Sequence, residues 1–248
     1  MRLENFLIED SKRTSGRTKP ISREDAFEFI KKRCSNSLRM YTEGRGLYRS
    51  SENYTNDYGV VEPSRFKRDS RYTYNYYTVM MDNMSLWNKY PKRSKSVIGA
   101  SSPSRVDRHI GKTYIMLPID GTDIGVCPED DLWDSFSPSL DTFNEDLKFA
   151  FETYIKESPS DKWGTLLKQF EKMDEVLSSP HKNKPVSRFF KEFYNGNMLQ
   201  ACTDYLDPAK NGFVLRKVGD VLPFNKEVWW STKTVMVSSS QGEYLYEI

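Results

Sequence analysis

Residues 91–127, PKRSKSVIGASSPSRVDRHIGKTYIMLPIDGTDIGVC, set out the kernel of a sheet. Val97–Ile98 is a short apolar run, reached through Ser94–Lys95–Ser96 and left through Gly99–Ala100–Ser101–Ser102. Thr113 to Leu117 alternates and is rich in β-branched and aromatic residues, which predicts a strand. Pro118 and Asp120–Gly121 mark a turn, and Ile124 to Cys127 begins another short strand. The first two strands are joined by a connection of about ten residues. Small residues beside a strand let a ligand approach the backbone, and their hydroxyls donate to it or accept from it.

Working toward the N-terminus, Tyr76 to Tyr90 has helical spacing, with Tyr76, Val79, Met80, Met84 and Trp87 on one side. Glu52 to Tyr74 has no steady period and reads as a long loop. Within it Arg65, Lys67, Arg68 and Arg71 interleave with Phe66, Tyr72 and Tyr74, a pattern able to bind nucleic acid; the plainer reading is a solvated loop with anchoring rings. Leu47 to Ser50 predicts a strand with Arg49 near its end. Ser22 opens a helix, with Glu24 and Asp25 in its first turn and Phe27, Ile30 and Cys34 sharing a face. Ser11 to Lys19 reads as a basic loop.

Toward the C-terminus, Glu129–Asp130–Asp131 is an acidic turn rather than a metal site, because three consecutive acids cannot converge. A helix is predicted from Thr142 to Lys156, opened by a capping box of Thr142 and Glu145. Others are predicted over Asp161 to Leu177 and over Val186 to Tyr205, the last interrupted at Asn195–Gly196–Asn197. Strands return at Phe213 to Val218 and after Asn225. Thr232 to Val237 and Tyr244 to Ile248 predict a terminal hairpin around Gln241–Gly242.

With 248 residues the chain has room for one large domain or two small ones. Lys plus Arg is 37 against 35 acidic residues, a net +2, so the strong field of a dedicated nucleic-acid or membrane binder is missing. Cys34, Cys127 and Cys202 are odd in number and widely spaced, which points to a reducing compartment without a disulfide framework or zinc spacing. Residues 1–20 are polar, and no stretch approaches a membrane span, so a cytosolic protein is expected. His109 and His181 lie in polar segments away from any triad pattern. No phosphate-binding Gly-rich loop and no dinucleotide fingerprint occurs.

Three separated polar positions remain, each on or beside a predicted strand: Arg49, the serines around Val97–Ile98, and Glu227. Here the chain resembles the ADP-ribosyltransferases of the arginine–serine–glutamate type, as found in bacterial toxins and phage proteins. Leu47–Tyr48–Arg49–Ser50 is similar to that family's first motif. Its serine motif has two registers here, Ser94–Lys95–Ser96 and Ala100–Ser101–Ser102, of which the first is preferred because it keeps both serines. Asn225–Lys226–Glu227–Val228 is similar to the glutamate motif, with Asn225 where relatives carry Glu or Gln. Gln241–Gly242–Glu243 also fits and is ranked lower, because only five residues follow it.

The resemblance covers residues 40–127 and 212–248. It implies one α+β domain over residues 1–248, with a split, mainly antiparallel β core and a helical insertion over residues 138–208. It implies NAD as substrate and a macromolecular acceptor, protein or nucleic acid, in the chain's own cytosol or that of a host. Cleaving the nicotinamide–ribose bond builds positive charge on the sugar, as in glycoside cleavage. A fixed carboxylate stabilises that charge, which suits Glu227. A cation with planar donors holds the pyrophosphate and ribose, which suits Arg49. Ser94, Ser96 or Ser101 would orient Glu227 or the ribose. Tyr48 precedes the arginine, and Tyr76, Tyr77 or Trp87 would stack on nicotinamide. The competing expectation is a non-enzymatic interaction or nucleic-acid-binding protein using the basic aromatic segment 65–95. Taken singly, each motif residue also has a plainer reading: a surface ion pair for Arg49, turn residues for the serines, the solvent face of an edge strand for Glu227.

Overall fold

The computed structural model describes residues 18–52, 54–65, 74–106, 111–179 and 187–248. The chain divides into two compact units, one of Met1–Tyr72, Lys89–Asp131 and Phe213–Ile248, the other of Thr73–Asn88 and Leu132–Gly212.

The first unit holds a nine-stranded sheet, and with its helices the chain is mixed α+β. In chain order the strands are β1 (Thr18–Pro20), β2 (Leu47–Ser51), β3 (Tyr58–Val61), β4 (Val97–Ala100), β5 (Lys112–Pro118), β6 (Asp123–Val126), β7 (Val214–Lys217), β8 (Glu227–Trp230) and β9 (Thr234–Ser238). Across the sheet they run β1-β3-β9-β5-β2-β4-β8-β6-β7, and every neighbouring pair is antiparallel. The ladder narrows at its middle. β2 makes five register pairs with β5, and β4 makes four with β8, whereas β2 meets β4 only at Tyr48↔Ala100.

Strand alternation divides the side chains between two faces. Leu47, Val97, Tyr114, Met116, Val126, Val228, Trp230 and Met236 share one buried cluster. Ile115, Leu117, Val235 and Val237 share the other, with Ala26 and Ile30 from helix α1 (Arg23–Arg33) and Leu245 near the C-terminus. Helix α1 starts as its sequence predicts: Ser22 Oγ accepts from Asp25 N at 3.0 Å. Its buried stripe is Ala26, Ile30 and Cys34, and Phe27 is only half-buried. Burial pushes the Cys34 thiol up to about 12.

Several elements differ from the sequence reading. Helix α2 (Ser35–Thr42) was not anticipated. Its start is capped from far along the chain: Asp120 accepts from Ser35 N at 3.2 Å, from Ser35 Oγ at 2.7 Å and from Asn36 N at 2.8 Å. β3 lies inside the expected loop of 52–74, and β1 touches the loop of 11–19. The expected terminal hairpin is one strand, β9, followed by 3-10 turns over Ser239–Glu247. Those turns are fixed by packing: a Cβ on Gly242 would stand 2.4 Å from the Tyr41 hydroxyl, and Tyr58 donates to Gln241 Oε1 at 3.3 Å.

The second unit carries helices α3 (Tyr76–Asn83), α4 (Leu140–Tyr154), α5 (Trp163–Ser178), α6 (Arg188–Glu192) and α7 (Met198–Tyr205). α3 is buried along both sides, from Tyr76 through Met81, so its period is not that of a surface helix. It stops at Met84, which is extended, short of the predicted Tyr90. α4 is capped by Ser139, which accepts from Thr142 N, rather than by Thr142 itself. The expected interruption in the last helix is present: Gly196 has φ +97°, and Asn197 Oδ1 caps α7 by accepting from Gln200 N at 2.8 Å.

Candidate active site

Glu227 opens β8, and the chain before it is held tightly. Asn225 adopts φ +57°, a conformation Asn tolerates better than most residues, and its Oδ1 accepts from Ser104 Oγ at 3.0 Å. Ser101, just past β4, ties this segment down. Its hydroxyl donates to Pro223 O at 2.7 Å and accepts from Lys226 N at 2.9 Å, and its own amide donates to Lys226 O at 3.0 Å. Lys226 also pairs with Glu129 at 3.8 Å, and Arg105 pairs with Asp130. The acidic turn of 129–131 therefore anchors two segments around Glu227.

The Glu227 side chain is 1 % exposed. Its Oε1 lies 2.5 Å from Nη2 of Arg93, which is equally buried, and 3.9 Å from Cys127 Sγ. The Arg93 guanidinium sits 5.2 Å from the Trp229 ring centre. Trp229 is itself fixed: its indole N–H donates to Pro91 O at 3.0 Å, and Tyr90 and Phe213 pack on the ring at 6.0 and 6.1 Å. A Cβ on Gly125, paired opposite Trp229, would fall 2.3 Å from that ring, so only glycine fits there. Together these groups form a buried ion pair walled by aromatic rings. Arg93 was not singled out from sequence, where it falls within the basic aromatic segment 65–95. The signal available was indirect: a Glu beside Val228–Trp229–Trp230 that goes to the interior requires a counter-charge.

The expected residues fall as follows. β2, β4 and β8 are consecutive in the sheet, so Arg49 and Glu227 sit on strands two spacings apart, about 10 Å. The register places Tyr48, Ala100 and Glu227 in one row. Alternation therefore starts Arg49 on the opposite face, beside Tyr114. Its Nη1 donates to Ile98 O at 2.6 Å, which brings the guanidinium toward the sheet plane where β2 and β4 part. Of the serine registers, Ser101 lies at the Glu227 end of β4 and Ser96 at the other, its hydroxyl donating to Lys92 O at 2.8 Å. Ser94 is buried in the turn Arg93–Lys95. Glu243 is exposed on the C-terminal 3-10 turns and belongs to no strand.

The aromatic expectations are corrected. Tyr48 packs against the Ile115 cluster, and burial first, then Tyr41 and Tyr246, push its phenol up to about 12; it is a packing ring. Tyr76, Tyr77 and Trp87 belong to the second unit and are buried there. Tyr76 donates to Asn144 O at 2.8 Å, Tyr77 packs on Trp133 at 5.2 Å, and Trp87 donates to Leu206 O at 2.9 Å. None of the three offers an open face for stacking. The basic segment 65–95 loses Arg93 to the interior, while Lys67, Arg68 and Arg71, like His109 and His181, lie outside the described residues.

Among the described residues no group of His, Cys, Asp and Glu could hold a metal ion, and no helix is long and apolar enough to cross a membrane. No protein-family model, no curated protein and no solved structure matches the chain.

Proposed function

We propose that the chain is a mono-ADP-ribosyltransferase with an ADP-ribosyltransferase-type core split between β2 and β4. It takes NAD as substrate, breaks the bond between ribose C1′ and the nicotinamide nitrogen, and transfers ADP-ribose to a protein or nucleic-acid acceptor. The bonding electrons leave with nicotinamide; the acceptor's nucleophile bonds to C1′ and gives its proton to solvent. The observation that carries this reading is adjacency: the strand bearing Arg49, the strand flanked by the serines and the strand bearing Glu227 are consecutive in the sheet, and the first two part beyond a single register pair. Arg49 grips the pyrophosphate from that gap through planar donors. Glu227 supplies the fixed carboxylate that stabilises the ribosyl cation; at 1 % exposure it meets the ribose only once the groups that cover it move aside. Ser101 holds the segment that carries Glu227, which favours the Ala100–Ser102 register over Ser94–Ser96.

The test is nicotinamide release from NAD by the wild type and by Arg49→Ala, with protein and nucleic-acid acceptors supplied in turn. Arg49 is half-buried, so its removal should spare the fold. It should weaken NAD binding about tenfold or more, the loss typical of a hydrogen bond to a charged group. A wild type that releases no nicotinamide with any acceptor removes the proposal.

A further inference from the structure

We infer that Arg93 is the positioning residue for Glu227, an inference that rests on the function proposed above. The turn Arg93–Lys95 is locked over β8: Lys95 N donates to Lys92 O at 2.9 Å, Ser96 Oγ to the same carbonyl at 2.8 Å, and Trp229 to Pro91 O at 3.0 Å. The Arg93 side chain leaves this turn, passes by the Trp229 ring and meets Glu227 Oε1 at 2.5 Å. A carboxylate at 1 % exposure has no water to orient it, so its direction is set by its protein partners. A guanidinium sets that direction through an N–H fixed in a rigid plane, which an ammonium on a flexible stem does not reproduce. Arg93 touches neither substrate nor reacting atoms in this scheme; it acts through the carboxylate, by keeping it aimed before the ribosyl charge appears.

The experiment measures kcat and KM for NAD, with thermal melting, for the wild type, Arg93→Lys and Arg93→Ala. Arg93→Lys keeps the charge and should remain folded, with kcat reduced about tenfold or more and KM for NAD within about twofold, the signature of an interaction that matters in the transition state. Millimolar guanidinium should restore part of the kcat lost in folded Arg93→Ala. A folded Arg93→Lys with wild-type kcat overturns the inference and leaves the proposed function standing. Failure of Arg93→Lys to fold assigns Arg93 to stability alone and also overturns it. A wild type without nicotinamide release removes the proposed function and the inference together.

Discussion

Glu227 and Arg93 are each 1 % exposed, so neither charge has bulk water to turn to if the other is removed. Glu227→Gln, the shape-preserving variant an exposed catalytic carboxylate would invite, here takes the opposite charge away from a buried guanidinium. It should destabilise the fold by about 3–5 kcal/mol, as should Glu227→Leu, while Arg93→Met/Glu227→Leu should recover most of that loss. Urea denaturation of the single and double variants measures the coupling; losses that simply add would show that the two side chains do not act as a pair. At this scale the sequence was half legible. Glu227 was singled out because Asn225–Lys226–Glu227–Val228 is similar to a glutamate motif, whereas its plainer reading, the solvent face of an edge strand, does not fit its burial. Its partner was hidden, because Arg93 lies 134 residues away and its neighbours are the hydrophilic Lys92, Ser94 and Lys95. In sequence Arg93 was one more residue of the basic segment 65–95; the pairing of β4 with β8 brings its turn over the carboxylate.

α1 and α7, whose signals are local, were read correctly, and α2, which is stabilised from a distance, was not. α1 has its own cap, and α7 has Gly196 and Asn197 before it. α2 has neither, since its first amides are satisfied by Asp120, 84 and 85 residues away. Asp120→Ala should therefore melt the start of α2 at a cost of about 1–2 kcal/mol, at the upper end for a lost helix cap because three donors lose one acceptor. Amide exchange would show it as faster exchange at Ser35 and Asn36, with β8 unaffected. Protection unchanged at both amides would mean that solvent replaces the carboxylate without penalty. β3 was missed for a related reason: Tyr58 to Val61 gains its partners from β1 and β9, on either side, rather than from a neighbouring hairpin.

For the whole molecule, the sequence leads one to expect a helical insertion over residues 138–208. The second unit also takes in Thr73–Asn88, a membership that the helical spacing of Tyr76 to Trp87 does not reveal. Tyrosine burial is shared by both units. Burial pushes the phenols of Tyr48 and Tyr54 up to about 12, and those of Tyr114, Tyr76 and Tyr205 up as well. A phenol whose folded pKa exceeds its ordinary value of 10.0 stabilises the fold fully below that value and loses its contribution as pH rises through the folded pKa. Stability should thus fall steeply between about pH 10 and 12, with phenolate absorbance rising in step with loss of tertiary circular dichroism. Phenolate appearing well before unfolding would show that these rings are open to water. The strand order also carries a consequence for synthesis. β9 is flanked by β3 and β5, and β8 by β4 and β6, so the two strands of this sheet that come last in sequence occupy interior places in it. Until they emerge, the nascent chain exposes the unpaired edges of four earlier strands, and the sheet closes only after translation of its final strands.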